Sequence, residues 1–252
     1  MRLTARVDSG AGDSILAIRG ELEGEPLHFE RDSTGQLTAF GAVPTDLRNN
    51  LRFPLIVERA TRSDTVQVEI PVFKAAFGSE RLSVARAFTD TPDSALQARI
   101  NQEGRQIAAV WPRSHATPRL WREPFARPRA SRITSPFGTG REFNGVIQSR
   151  HLGLDFDGRV GDPIRASNDG VVALVGDFYY SGRCVFLDHG AGFATGYLHM
   201  SDVLVAEGDT VKSGQLIGRV GATGRVTGPH LHWIAKYGRI SVDPMSVLAV
   251  GR

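Results

Sequence analysis

The sequence predicts a mainly β protein in three parts. These are a small β-sandwich over residues 1–76, a short helix with a Pro- and Arg-rich linker over 77–128, and an antiparallel β domain over 129–252. Three observations carry the prediction: short apolar runs with period-two alternation, turn residues between those runs, and a glycine count that shifts from 8 before residue 129 to 20 after it. With 252 residues and 41% apolar side chains, the chain can bury a sizeable core. Apolar runs such as Val171–Val175 fall far short of the ~20 residues a membrane-spanning helix requires, and no span is expected.

In the first part, Leu55 and Val57 alternate with other residues, as do Val66, Val68, Ile70 and Val72, the signature of half-buried strands. Turn chemistry at Asp32-Ser-Thr-Gly35 and Arg62-Ser-Asp64 separates such runs. Thr91-Pro-Asp-Ser then predicts a helix start, with Thr91 as N-cap and Pro92 at the first helical position. Leu96, Ile100, Ile107 and Val110 would share one face, although Gly104 weakens the helix. Pro112, Pro118, Pro124 and Pro128, interleaved with arginines, lack backbone donors and predict a linker over 112–128 laid along a surface.

The third part contains an internal echo. Gly161-Asp-Pro-Ile-Arg-Ala recurs as Gly208-Asp-Thr-Val-Lys-Ser, each followed by a Gly-punctuated apolar run ending in Val-Gly. Two stacked or interlocked β-units are expected. Such hairpins also occur in swinging-arm carrier domains, but Lys212 and Lys236 do not sit in the exposed turn that a carrier lysine needs.

Composition narrows the chemistry. A single cysteine, Cys184, excludes an internal disulfide and a cysteine-rich zinc site, so any metal must be held by imidazole and carboxylate. Net charge is +3 without a polybasic block, which argues against a nucleic-acid partner. The opening Met1–Arg6 offers no apolar stretch for secretion, so the chain is expected to be cytoplasmic or already trimmed of a targeting segment.

Five of the seven histidines lie between 151 and 232. In His151-Leu-Gly-Leu-Asp155-Phe-Asp157, a strand would send Leu152, Leu154 and Phe156 to the core and every polar group to the other face, with Gly153 leaving room for an ion. In Gly228-Pro-His230-Leu-His232, a strand puts both imidazoles on one face, where each ring nitrogen needs a partner. His199 ends a further apolar run, Gly196-Tyr-Leu-His199. A His/Asp/His set suits zinc, and three protein ligands plus water is the arrangement of a catalytic site. The remaining imidazoles would serve proton transfer and oxyanion stabilisation.

Over residues 129–247 the chain resembles the lysostaphin-like, LytM-type zinc metallopeptidases that cut the peptides of bacterial cell walls. The matching motifs are Ser135-Pro-Phe-Gly, Arg141-Glu-Phe-Asn-Gly145, His151-x-x-x-Asp155, Asp188-His-Gly-Ala-Gly192, Tyr197-Leu-His-Met-Ser201, the segment from Gly208 to Gln215, and Thr223-Gly to Gly228-Pro-His-Leu-His232. The resemblance implies a duplicated-hybrid-motif-like β fold, zinc bound by His151, Asp155 and His232, and His199 and His230 as the catalytic histidines. It also implies a monomeric peptidoglycan endopeptidase in the periplasm or outside the cell, with an envelope regulator as a possible partner. Members of this fold that only bind or regulate another hydrolase typically lack some of these five residues, and all five are present here. Met200 and Arg183-Cys184 depart from the family pattern without touching a ligand.

Asp157, one step beyond Asp155, is expected not to be a ligand. His189 is expected to be a structural turn residue, His28 and His115 to lie outside the site, and Tyr179 and Tyr180 to pack at a strand edge. The first part is expected to be a spacer or a regulatory or docking domain.

Overall fold

The computed structural model describes residues 1–5, 14–31 and 35–250 and divides into two compact units, 1–76 and 77–252. The turn expected at Asp32–Gly35 lies largely outside the described residues. No helix among the described residues is long and apolar enough to cross a membrane.

Among the described residues, the first unit has seven strands: β1 (Arg2–Ala5), β2 (Ile15–Leu22), β3 (Glu25–Pro26), β4 (Glu30–Arg31), β5 (Leu37–Phe40), β6 (Leu51–Arg59) and β7 (Ser63–Ile70). They form a three-stranded sheet, β1-β5-β4, and a four-stranded sheet, β3-β2-β6-β7. Leu51, Phe53, Leu55 and Val57 alternate inward along β6 and join Ile15, Ile18, Leu22, Leu37 and Ala39 in one apolar core fed by both sheets. On the edge strand β7 the expected alternation is weaker, because Val66 faces solvent.

The second unit opens with β8 (Ser79–Leu82) and helix α1 (Ser94–Val110). The helix starts two residues later than Thr91-Pro92 predicts, since the Asp93 side chain accepts from Leu96 N at 2.8 Å and serves as N-cap. Val110 and Trp111 at its end pack on Phe178, Cys184, Phe186 and Leu198. The Pro/Arg stretch does not behave as a solvated linker. Trp121 and Phe125 are buried, meet each other and Phe193 edge-on or tilted, and so pin the segment to the unit.

The remaining strands are β9 (Ile133–Ser135), β10 (Gly140–Phe143), β11 (Ile147–Arg150), β12 (Leu154–Asp157), β13 (Pro163–Arg165), β14 (Gly170–Phe178), β15 (Gly182–Gly190) and β16 (Phe193–Val203). They continue with β17 (Thr210–Val211), β18 (Leu216–Val220), β19 (His230–Tyr237) and β20 (Ile240–Val242), before a terminal turn of helix at Pro244–Val247. A ten-stranded antiparallel sheet runs β17-β14-β15-β16-β19-β12-β9, with β13, β18 and β20 branching from it. A smaller sheet, β11-β10-β8, flanks it.

The internal echo is an interlock. Gly161 and Gly208 both adopt positive φ, and the aspartates after them accept from the backbone three residues earlier: Asp162 from Arg159 N at 2.9 Å, Asp209 from Ala206 N at 2.8 Å. Each turn then feeds a short strand into the other repeat: β13 pairs β18, and β17 pairs β14. The crossed pairing ties both repeats into the sheet that carries the histidines.

Candidate metal centre and cleft

Two paired strands set up the site. Antiparallel β12 and β19 place Asp155 opposite His232 and Asp157 opposite His230, while Leu154, Phe156, Leu231 and Trp233 fill the core behind them. His151 does not belong to this strand. Pairing begins at Leu154, and Leu152, expected in the core, is 41% exposed, because the chain turns at 151–153 to bring the imidazole back over Asp155. Gly153 permits the turn: a Cβ there would lie 2.6 Å from the Trp233 carbonyl oxygen and 2.8 Å from His232 Cε1.

Three polar atoms converge. His151 Nε2 lies 3.0 Å from Asp155 Oδ1 and 2.9 Å from His232 Nδ1, and His232 Nδ1 lies 2.6 Å from Asp155 Oδ1. The Pro136 carbonyl accepts from His151 Nδ1 at 2.8 Å, which leaves Nε2 as the lone-pair atom facing the carboxylate. Without a cation, neutral rings can place at most one proton, on His232 Nδ1, among these three acceptor atoms, and a second would require an imidazolium. Burial opposes that, pushing the His232 pKa down to about 4. Burial alone would raise the Asp155 carboxyl, but hydrogen bonding and charge from the two histidines outweigh it and hold the group ionised, far below the ordinary range. A carboxylate and two lone-pair nitrogens at this spacing fit a divalent ion of zinc type.

The set is braced from outside. Arg141 on β10 donates to Asp155 Oδ2 and, through Nε, to Glu80 Oε1 at 2.6 Å. Ser135 Oγ donates to Glu80 at 2.9 Å and accepts from Arg141 at 2.9 Å. Glu80 and Arg141 therefore position the ligand carboxylate. Sequence reading assigned neither residue a role. Arg141 was visible within a motif, whereas Glu80 reaches the site only through the parallel pairing of β8 with β10.

His199 and His230 stand beside the triad, their rings 4.9 Å apart. A bulge in β16 opposite Cys184 puts His199 at φ 66°, a strained conformation for this residue, and a bulge re-aims the side chain it carries. The Thr223 carbonyl accepts from His199 Nδ1 at 2.9 Å, and the Gly228 carbonyl accepts from His230 Nδ1 at 2.8 Å. Both Nε2 atoms are thereby left with lone pairs. Burial, reinforced by the neighbouring imidazoles, holds His199 well below its ordinary pKa and so neutral at pH 7. Both rings line a cleft of about 490 Å³ together with the triad, Glu80, Arg141, Tyr180 and Arg225.

The other residues singled out in the sequence sit elsewhere. Asp157 is exposed and faces Arg132 at 3.7 Å. His189 is buried, with Nδ1 donating to the Asp169 carbonyl at 2.7 Å and Nε2 beside Thr195 Oγ1 at 2.8 Å. His115 packs edge-on to Tyr237, and His28 lies in the first unit. Tyr179 donates its hydroxyl to Ala87 and packs on Phe88, but Tyr180, expected as edge packing, lines the cleft. Cys184 is buried and its thiol is pushed up to about 12, which leaves it inert.

Peptidase family M23 matches residues 149–244, the stretch that holds all five site residues. The chain carries a peptidase family M23 domain. The chain is similar to the peptidoglycan DD-endopeptidase ShyA of Vibrio cholerae, 31% identical over 227 residues, covering 86% of this chain and 51% of ShyA. The DD-carboxypeptidase/endopeptidase Mpg of Neisseria meningitidis is 41% identical over 119 residues, or 46% of this chain and 27% of Mpg. The chain thus spans about half or less of the length of these relatives. A crystal structure of a Pseudomonas aeruginosa protein assigned to peptidase M23 superposes with a TM-score of 0.71 at 26% identity, covering 98% of this chain and 92% of that one. M23 enzymes are zinc-dependent metallopeptidases, in keeping with the His-Asp-His donor set.

Proposed function

We propose that the protein is a peptidoglycan endopeptidase of the bacterial cell envelope that cleaves a D,D-peptide bond of the stem peptides. Zinc would be held by His151, Asp155 and His232. The observation that carries the reading is the division of labour in one cleft: three groups converge on a point, and two imidazoles beside them keep free Nε2 atoms. The names of the relatives, two DD-peptidases of peptidoglycan, support the substrate class.

When bound, zinc supplies Lewis acidity, polarising the scissile carbonyl and acidifying the attacking water. The residues do the rest. Asp155, kept ionised, and the two imidazoles would hold the ion. His199 enters the reaction neutral and accepts a proton at Nε2, and its backbone tether to Thr223 keeps that atom aimed into the cleft. The proton taken up at His199 returns to the leaving amine by way of His230, whose free Nε2, fixed by the tether of Nδ1 to Gly228, accepts it and hands it on; while it carries that proton the same N–H donates to the developing oxyanion.

The test is mass spectrometry of fragments released from defined peptidoglycans, with and without a chelator. New amino termini at a D,D-bond, lost on chelation and restored by zinc, are expected. Intact muropeptides in the presence of zinc would replace this reading with that of a binding protein of the same fold.

A further inference from the structure

Three arginines line the cleft, and two of them are engaged. Arg141 is paired with Glu80 and Asp155, and the exposed Arg150 donates to the Gly138 carbonyl at 2.7 Å while lying over Phe77. Arg225 differs. Its guanidinium carbon sits 4.3 Å from the Phe143 ring centroid and 4.7 Å from that of Tyr180, and among the described residues no acceptor takes a hydrogen bond from its side chain. Cation–π attraction from two rings holds the charge in place but uses none of its five N–H donors. The residue is half-buried, and burial lowers its pKa from the ordinary value. The titratable groups that act on it are another arginine, Arg141, and the Tyr179 and Tyr180 phenols, with no carboxylate among them. A desolvated guanidinium without an anion is costly to keep, and its planar fork matches a carboxylate.

Its place on the chain ties it to the reaction. The loop from Thr223 to Pro229 supplies the carbonyl that orients His199, leads directly into His230, and is anchored where Arg225 N donates to the Tyr180 carbonyl at 3.0 Å. We propose that Arg225, held between Phe143 and Tyr180, binds a free carboxylate that the substrate peptide carries next to its scissile amide. The proposal rests on the peptidase reading of the same cleft. A cleft of about 490 Å³ takes only a few residues, so a carboxylate that reaches Arg225 must lie close to the bond being cut. A diaminopimelate cross-link has such a group on the carbon bonded to the scissile nitrogen, as does a peptide ending in D-Ala. An internal bond of a glycine bridge has none. Arg225 would therefore select the first two substrates against the third.

The test uses two synthetic stem peptides that differ only in that group, carboxylate or carboxamide. The zinc-loaded wild type, Arg225→Lys and Arg225→Gln are compared by kcat/KM, by calorimetric binding of each peptide, and by metal content. The wild type should prefer the carboxylate roughly 10- to 100-fold, as for a charge-assisted hydrogen bond. Arg225→Gln should abolish the preference and Arg225→Lys keep part of it, both with full zinc content. Loss of zinc from Arg225→Gln would leave Arg225→Lys to decide. A wild type that treats both peptides alike, or a variant that loses equally on both while keeping the preference, would overturn the proposal. Failure of the wild type to cleave either peptide would sink the peptidase reading instead. The binding arm would then decide the role of Arg225 by itself.

Discussion

Two neighbouring rungs of one β-ladder carry the same residue pair and end up with different work. Asp155 faces His232 and Asp157 faces His230, on the same side of the same two strands. At the first rung the carboxylate is buried, His151 arrives from a loop to within 3.0 Å, and Arg141 closes the far side. At the second rung the aspartate points to solvent, and His230 is left with its Nε2 3.7 Å from Asp155 and its Nδ1 tied to a backbone carbonyl. A cross-strand Asp–His pair is thus not by itself a metal site. The third chain segment, and the water it excludes, decides which imidazole holds an ion and which keeps a lone pair for chemistry.

The largest effects should come from separating the two rungs. His232→Ala removes one of three ligands, so stoichiometric zinc and all peptidase activity should be lost together. His230→Ala should retain full zinc by metal analysis and lose roughly 10²- to 10⁴-fold in kcat, the range for a positioned acid–base group. A His230→Ala protein that binds zinc normally and turns over at the wild-type rate would erase the distinction between the rungs.

A smaller effect should follow from loosening the brace. Glu80→Gln weakens the acceptor that holds Arg141, which in turn holds Asp155. Zinc affinity should fall by about 10- to 100-fold, as for other groups that orient a metal ligand, with kcat at saturating zinc nearly unchanged. Unaltered affinity in a chelator competition would show that Asp155 is positioned without Glu80.

How much of this was legible in the sequence follows from the same contrast. Along β19, the alternation of His230 and His232 with Leu231 and Trp233 stated the strand and its polar face outright, because burial and period two agree there. At His151 the same alternation misled. Leu152 continues the pattern in sequence but lies outside the strand, since the loop must reverse at Gly153 to bring His151 over Asp155. The Pro/Arg run read as a linker because missing backbone donors forbid a regular element, yet Trp121 and Phe125 bind it to the core, and these aromatics were the unread signal. Glu80 left no local trace at all. Its role depends on a parallel pairing between strands far apart in the chain, which no short window of sequence contains.

The smallest effect on the reaction, and the sharpest test of what makes a histidine need a cation, lies at His189. Both its nitrogens have protein partners, Asp169 and Thr195, so it can stay buried and neutral with no ion nearby. Burial is the main cause of its pKa falling to about 4, against about 6.5 when unfolded. The folded state therefore binds fewer protons than the unfolded state between those values. The stability this group allows is complete above pH 6.5 and is lost as the pH falls toward 4. His189→Gln should be less stable than the wild type at pH 7.5, through an imperfect replacement of the two hydrogen bonds. The gap should narrow by about 2 kcal/mol by pH 4.5, because only the wild type bears the cost of an imidazole that cannot charge. Denaturant unfolding of both proteins at the two pH values measures that change as a double difference, in which the other titrating groups cancel. A gap that stays constant would mean that His189 titrates normally in the folded protein, and that its two partners do not hold it neutral.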